Sequence, residues 1–143
     1  MAVLVLVAGW LVAFGPARAQ EVLDAPAALA RAEAGDLVII DVRTVGEWAE
    51  TGLPLGAAQV SLYPEWGVAN TRFVADVLAA VSGDKTTPIA AICASGGRSS
   101  LARDLLVNSG FTQVSSISEG MLGSSYGPGW LARDLPLEPC ANC

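Results

Sequence analysis

Histidine is missing from this chain of 143 residues. Its absence excludes Cys–His and Ser–His nucleophile pairs and removes a common ligand of catalytic zinc sites. A structural zinc ion needs about four good ligands, whereas the chain has three cysteines. We therefore expect neither a bound metal nor a cofactor. Any cysteine chemistry must proceed without an imidazole partner.

Basic residues are also scarce, with eight Lys and Arg against fourteen Asp and Glu and a formal net charge of −6. A surface with this excess of negative charge repels a phosphate backbone, so we expect no nucleic-acid partner. The length suits one domain, and a second catalytic domain is not expected.

The first fifteen residues carry no charge, and their apolar run is too short to span a bilayer comfortably. The "ARA" that follows fits a signal-peptide cleavage site. We predict a signal peptide over residues 1–19, a domain over residues 20–139 and a tail over residues 140–143. Cleavage after Ala19 would give a periplasmic or secreted chain of net charge −7, without stable membrane insertion. The usual basic start is lacking, since the first charge is Arg18, and the alternative is an anchor that stays attached.

Apolar strings and helical patterns alternate along the rest of the chain. We predict helices over residues 25–36, 71–84 and 99–111, and strands over residues 37–43, 57–63, 88–93 and 113–117. Continuous apolar runs are typical of strands buried on both faces of a parallel sheet. The order indicates an α/β fold with a mostly parallel central sheet flanked by helices, where ligands bind at the carboxyl ends of the strands. Asp41 and Cys93 lie at such ends.

The stretch "CASGGRSS" joins a predicted strand to a predicted helix. Gly96 and Gly97 allow backbone N–H groups to turn inward and form a concave anion site. The positive end of the helix that begins at Ser99 points to the same place, and Arg98 adds a permanent charge. These features favour a thiolate at Cys93. The alternative is a buried cysteine that only fills space.

The same loop resembles the active-site loop of the rhodanese family, whose single-domain members show Cys-x-x-Gly-x-Arg-Ser/Thr between a strand and a helix. The segments "VIIDVRTVGEW", "GLPLGA" and "SISEGM" are similar to other segments of that family. The resemblance covers about residues 25–139 and implies a rhodanese-like three-layer α/β fold. Leu53 and Pro54 depart from the family's histidine and isoleucine, which bears on the details of the fold more than on the chemistry.

The resemblance implies a thiosulfate sulfurtransferase-like enzyme. Cys93 would take the outer sulfur of a donor such as thiosulfate, hold it as a persulfide and pass it to a thiophilic acceptor. Loop amides would hold the persulfide, and Arg98 would attract the donor. The implied partners are a small anionic sulfur donor and a thiol or cyanide-like acceptor. A thiol-redox protein is a further candidate partner, which the resemblance does not imply. The implied substrate-binding residues are Ala94, Ser95, Gly96, Gly97, Arg98 and Ser99.

Two other functions stay open at this point. One is a binding or carrier module that accepts sulfur or docks a redox partner without efficient turnover. The other is a phosphatase or arsenate reductase on the same fold. Phosphatases of this fold place their arginine one position further from the cysteine, whereas Arg98 follows Cys93 by five positions. The smaller loop favours sulfur over a tetrahedral phosphate.

Two residue pairs outside the loop invite interpretation. Asp41 and Arg43 match a family pair near the pocket, and we interpret them as a structural ion pair rather than as catalytic residues. Cys140 and Cys143 form a candidate redox pair, which could close as a disulfide or reduce a Cys93 persulfide. The alternative is an exposed tail without a catalytic role.

Tryptophans at positions 48, 66 and 130 indicate packing more than binding. Trp66 lies in the loop-like segment "YPEWG" and is also a candidate for the mouth of the pocket.

Overall fold

The computed structural model describes residues 22–143, so the predicted signal peptide lies outside the described residues. Within residues 22–143, no helix has the length and apolar character needed to cross a membrane. The elements, in chain order, are β1 (Val22–Leu23), α1 (Ala25–Glu33), β2 (Val38–Asp41), α2 (Val45–Thr51), β3 (Leu53–Pro54), β4 (Ala58–Gln59), α3 (Phe73–Ala80), β5 (Ile89–Ile92), α4 (Gly97–Asn108), β6 (Val114–Ile117) and β7 (Leu137–Glu138).

The central sheet has five strands in the order β1-β6-β5-β2-β4, and every pair in it is parallel. The short strands β3 and β7 form a separate antiparallel pair. Ile92 is in register with Asp41, which is in register with Gln59, so the carboxyl ends of β5, β2 and β4 share one edge. The predicted α/β fold with a mostly parallel sheet is confirmed.

Alternate residues of the buried strands pack on opposite faces of the sheet. Ile40 packs in a cluster with Val77 of α3 and Leu106 of α4. Its neighbour Ile39 packs in a second cluster, with Leu29 of α1 on the opposite face. The continuous apolar runs therefore arise because both faces of the sheet are covered, which gives three layers.

Local sequence explains where the first helix begins and ends. The side chain of Asp24 accepts a hydrogen bond from the N–H of Ala27 at 2.7 Å, which satisfies one of the free donors of the first turn. Pro26 occupies the first turn, where its missing N–H costs nothing. Gly35 follows the end of α1 with a φ of +78°, a conformation that favours glycine. The prediction of a helix over residues 25–36 is confirmed except for its last turn.

Several elements differ from the prediction. Helix α2 was not predicted, and β1, β3 and β7 have two residues each, too few to show any periodicity. The strand predicted over residues 57–63 is reduced to Ala58–Gln59. The chain that follows β4 still runs beside β2. The N–H of Val60 donates to the carbonyl of Asp41 at 3.1 Å.

Candidate active site

Cys93 follows the last residue of β5 and lies at the carboxyl edge of the sheet, as predicted. Its side chain is 1% exposed and belongs to the core cluster on the α4 side. The N–H of Met121 donates to the Cys93 carbonyl at 2.9 Å, and the N–H of Leu122 donates to the Ala94 carbonyl at 2.8 Å. The loop after Cys93 is therefore held by the segment that follows β6.

Backbone N–H groups surround the sulfur of Cys93. The N–H of Gly96 donates to Sγ at 3.1 Å, and the N–H of Ser99 donates to Sγ at 3.4 Å. The hydroxyl of Ser99 lies 3.6 Å from Sγ. Donors around a sulfur favour its negatively charged form over the neutral thiol, so the geometry suits a thiolate or a persulfide anion.

Further N–H groups of the loop remain available for a ligand. Among residues 22–143, four of them find no acceptor. They belong to Ala94, Ser95, Gly97 and Arg98. Two of these lie in the first turn of α4, where the helix dipole adds a partial positive charge. The loop can therefore hold an anion bonded to the sulfur.

The two glycines of the loop differ in what they require. Gly96 has a φ of +99°, and a Cβ there would contact the carbonyl oxygen of Ser118. Gly97 has open space around it and is the first residue of α4. Of these two glycines, only Gly96 adopts a backbone conformation that favours glycine. The helix begins at Gly97 rather than at Ser99, because the left-handed Gly96 already makes the turn.

A chain of hydroxyl groups lies behind the sulfur. Ser99 Oγ donates to the carbonyl of Gly96 at 3.0 Å and lies 2.9 Å from Oγ of Ser116. Ser118 Oγ donates to Ser116 Oγ at 3.3 Å. Ser99 and Ser116 are fully buried. The hydroxyls fix the loop carbonyl and the position of the Ser99 side chain. The sequence reasoning did not identify Ser116.

Arg98 is not free in the structure. Its two terminal nitrogens each lie 2.7 Å from an oxygen of Glu47, in a bidentate ion pair between α4 and the start of α2. Its guanidinium carbon lies 4.9 Å from the ring centre of Trp66, a cation–π contact. The hydrogen bonds to Glu47 raise the pKa of Arg98 despite its partial burial.

Glu47 is a residue of this site that the sequence prediction missed. It is the third residue of α2, and it forms a capping box with Thr44, whose N–H and hydroxyl both lie 2.9 Å from Oε2. Partial burial alone would raise the pKa of Glu47, but the hydrogen bonds from Arg98 and Thr44 lower it to about 2. The Thr-x-x-Glu spacing is a recognised helix-start signal that could have revealed both α2 and this carboxylate.

Asp41 and Arg43 form the buried ion pair that was expected. Nη2 of Arg43 lies 2.7 Å from Oδ2 of Asp41, and their side chains are 2% and 0% exposed. The other donors of Arg43 reach Oγ1 of Thr51 at 2.8 Å and the carbonyl of Gly52 at 2.8 Å. The pair thus ties β2 to the end of α2, which agrees with a structural role.

Cys140 and Cys143 are joined by a disulfide. Sγ of Cys140 accepts a hydrogen bond from Nε2 of Gln59 at 2.9 Å. Gln59 is the last residue of β4, at the same sheet edge as Cys93 and two strands away. The pairing of β7 with β3 holds the chain that leads to the disulfide.

The tryptophans have separate environments. Trp48 and Trp130 are buried, as expected of packing residues, whereas Trp66 is 74% exposed beside Arg98. Residues 22–143 contain no group of three or more His, Cys, Asp or Glu side chains that could hold a metal ion.

The sequence matches the family model described as "Rhodanese-like domain" over residues 24–124. It is 31% identical over 99 residues to an uncharacterised protein of Rickettsia rickettsii, a match that covers 68% of this chain and 80% of the relative.

Solved structures show the same fold. The polysulfide-sulfur transferase homodimer of Wolinella succinogenes is 26% identical with a TM-score of 0.60, covering 85% of this chain and 80% of that one. A protein of Rhodopseudomonas palustris described as a possible tyrosine phosphatase is also 26% identical, with a TM-score of 0.56 and coverages of 82% and 84%. The family match spans most of the chain and includes the Cys93 loop, so this protein belongs to the rhodanese-like domain family.

Proposed function

We propose that this protein is a sulfurtransferase that carries a sulfane sulfur as a persulfide on Cys93. The observation that carries the proposal is the set of hydrogen bonds from the N–H groups of Gly96 and Ser99 to Sγ. They stabilise a sulfur anion, which is the form of cysteine that acts as a nucleophile. The sulfur transferase from Wolinella succinogenes, similar over most of both chains, supports this reaction class.

The reaction needs no proton transfer by the protein. The Cys93 thiolate attacks the outer sulfur of thiosulfate, the sulfur–sulfur bond of the donor breaks, and sulfite leaves with the bonding electrons. Cys93 then carries a terminal sulfur with a negative charge, for which the free N–H groups of Ala94, Ser95 and Gly97 are available donors. Cyanide or a thiolate attacks that terminal sulfur, and the Cys93 thiolate returns. The absence of histidine is compatible with this chemistry.

The proposal is tested by the intact mass of the purified protein before and after incubation with excess thiosulfate. We expect a gain of one sulfur atom that cyanide removes as thiocyanate. The variant Cys93→Ser should show no gain. A gain that persists in this variant, or no gain in the wild type, would overturn the assignment of Cys93.

A carrier module without efficient turnover is the alternative that shares the same loop. It predicts the mass gain but little steady-state formation of thiocyanate from thiosulfate and cyanide. A phosphatase is disfavoured because Arg98 follows Cys93 by five positions and because its guanidinium is engaged by Glu47. Release of phosphate from p-nitrophenyl phosphate, lost in Cys93→Ser, would favour the phosphatase instead.

We further propose that the chain acts outside the cytoplasm after cleavage near Ala19, on a small anionic sulfur donor and with a thiol-redox protein as partner. The apolar, uncharged first fifteen residues and the "ARA" sequence that ends at Ala19 support export. Cell fractionation followed by N-terminal sequencing of the mature protein tests this. Recovery of an uncleaved chain in the cytoplasmic fraction would contradict it.

A further inference from the structure

The positive charge nearest to the Cys93 loop is neutralised within the protein. Both terminal nitrogens of Arg98 are bonded to Glu47, and the side chains are only 14% and 23% exposed. The next arginine at this edge, Arg43, is likewise paired with Asp41. An incoming anion therefore meets neutral N–H dipoles and the compensated Arg98–Glu47 pair, on a protein of negative net charge.

Two exposed apolar residues neighbour the Cys93 loop. Trp66 is 74% exposed, and its ring lies against the guanidinium of Arg98. Leu122 is 65% exposed, and its N–H donates to the carbonyl of Ala94. We call Trp66 and Leu122 the apolar rim. Such side chains favour contact with an organic group and offer little to a small, doubly charged ion.

Together these observations point to a class of donor, on the basis of the sulfurtransferase function proposed above. We propose that the site prefers organic sulfane donors of single or no charge, such as thiosulfonates and persulfides, over the thiosulfate dianion. Glu47 is the residue that determines this preference, because its carboxylate offsets the charge of Arg98. The organic group of the donor lies against the apolar rim.

Bonds and electrons are conserved in the transfer of sulfur from such a donor. The Cys93 thiolate attacks the outer sulfur of R–SO2–S⁻, the bond between the two sulfur atoms breaks, and the sulfinate R–SO2⁻ leaves with the bonding electrons. The product is the Cys93 persulfide anion, the same species that thiosulfate would give. For an organic persulfide R–S–SH, the thiolate R–S⁻ leaves and the outer sulfur keeps its proton, so Cys93–S–SH forms first and then loses that proton to solvent.

The test compares three donors, with cyanide as the common acceptor and kcat/KM as the readout. Methanethiosulfonate and thiosulfate differ mainly in charge, whereas benzenethiosulfonate adds an aromatic group at the same charge as methanethiosulfonate. The variant Glu47→Gln removes the charge and keeps a residue type that completes a capping box. Glu50→Gln removes an equal charge from an exposed position of α2 and serves as the matched control.

We expect wild-type protein to use both thiosulfonates at least tenfold better than thiosulfate. Glu47→Gln should raise the ratio of kcat/KM for thiosulfate to that for methanethiosulfonate about three- to tenfold, since one uncompensated charge acts across a short, partly screened distance. Glu50→Gln should leave the ratio unchanged. Comparing donors within one variant cancels any general damage to the loop.

A separate variant tests the apolar rim. Trp66→Ala should lower kcat/KM for benzenethiosulfonate about fivefold relative to methanethiosulfonate, as expected for the loss of one aromatic contact. Val107→Ala, at an exposed position of α4, is the control and should change neither value. Transfer from none of the three donors would refute the sulfurtransferase itself. Efficient use of thiosulfate with a ratio that Glu47→Gln does not move would refute only the proposed donor class.

Discussion

Gly120 lies directly against the backbone of Ala94. A Cβ at Gly120 would contact the carbonyl oxygen of Ala94, and it would come within 2.8 Å of the carbonyl oxygen of Cys93. The φ of Gly120 is +67°, a conformation that side chains rarely adopt. The first turn after β6 therefore touches the active-site loop closely enough that no larger residue fits.

Gly120→Ala should displace the Cys93 loop and lower the free energy of unfolding by about 3 kcal/mol or more. Chemical denaturation measures the loss, and kcat/KM should fall with it. Gly56→Ala is the matched control, because Gly56 has a similar φ of +74° but open space around it. It should lose only about 1 kcal/mol from backbone strain. Equal losses in the two variants would show that the contact with Ala94 is unimportant.

Ser99→Ala removes a hydroxyl close to the sulfur but keeps the N–H that donates to it. We expect kcat/KM to fall up to about tenfold and stability to fall by about 1 kcal/mol, since the Gly96 carbonyl loses its hydroxyl donor and keeps the N–H of Ser100. Ser118→Ala breaks the same hydroxyl chain, and Ser118 has no hydrogen bond to Sγ. An equal loss of activity in Ser118→Ala would assign the effect to loop packing rather than to the sulfur.

Stability should fall at acid pH partly because of Glu119. Its carboxylate accepts hydrogen bonds from the N–H of Ala25 at 2.7 Å and of Gly129 at 2.8 Å, and from Nε of Arg133 at 2.9 Å. Burial would raise the pKa of Glu119, but these hydrogen bonds, with Arg133 first, hold it below its ordinary value of 4.5.

Because the folded-state pKa lies below the unfolded value, Glu119 stabilises the fold fully above that value. The contribution is lost as the pH falls through the folded pKa. Glu119→Gln should cost about 2 kcal/mol near neutral pH and flatten the acid side of the stability profile, measured by urea denaturation at a series of pH values. Glu33→Gln, at an exposed position of α1, should leave the profile unchanged. A wild-type profile in Glu119→Gln would contradict the assignment.

Once the Cys140–Cys143 disulfide has been reduced to two thiols, these thiols should reduce the Cys93 persulfide. The two thiols would pass two electrons to the outer sulfur, giving the Cys93 thiol, one hydrogen sulfide and the Cys140–Cys143 disulfide. We expect tail-reduced, persulfide-loaded protein to release sulfide without added thiol. An external dithiol reductant would then restore the tail.

The variant Cys140→Ser/Cys143→Ser should hold its persulfide until a thiol is added. Release of sulfide is measured by methylene blue, and closure of the disulfide is measured by mass. Unchanged release in the double variant would leave the tail without a redox role. Gln59→Ala tests whether the hydrogen bond to Cys140 positions the tail, and it should slow the release without abolishing it.

The sequence predicted the sheet and the place of Cys93 because the signals for both are local. A buried apolar run that ends on Cys93 and continues into a glycine-containing loop needs no knowledge of distant residues. The same holds for the helix that follows, although the prediction left out its first two residues and extended three residues beyond its end at Asn108. Gly96 alone makes the turn before α4, and Gly97 already belongs to the helix. The sequence shows two adjacent glycines and does not indicate which of them makes the turn.

The partner of Arg98 could not be predicted in this way. Glu47 is 51 residues away along the chain, and only the packing of α2 beside the loop brings the two together. The expectation of a free cation at Arg98 followed from the loop alone. Ser116 and Gly120 were missed for the same reason, because their importance comes from contacts across the sheet edge.

The first strand of the sheet depends on one of the last segments of the chain. Val22 pairs with Ser116, and the N–H of Ala25 binds Glu119 across a separation of 94 residues. During synthesis, β1 therefore cannot pair with β6 until nearly the whole domain has been made. The residues that hold the Cys93 loop, Met121 and Leu122, belong to that same late segment. The order of folding thus delays assembly of the reactive loop until the chain is almost complete.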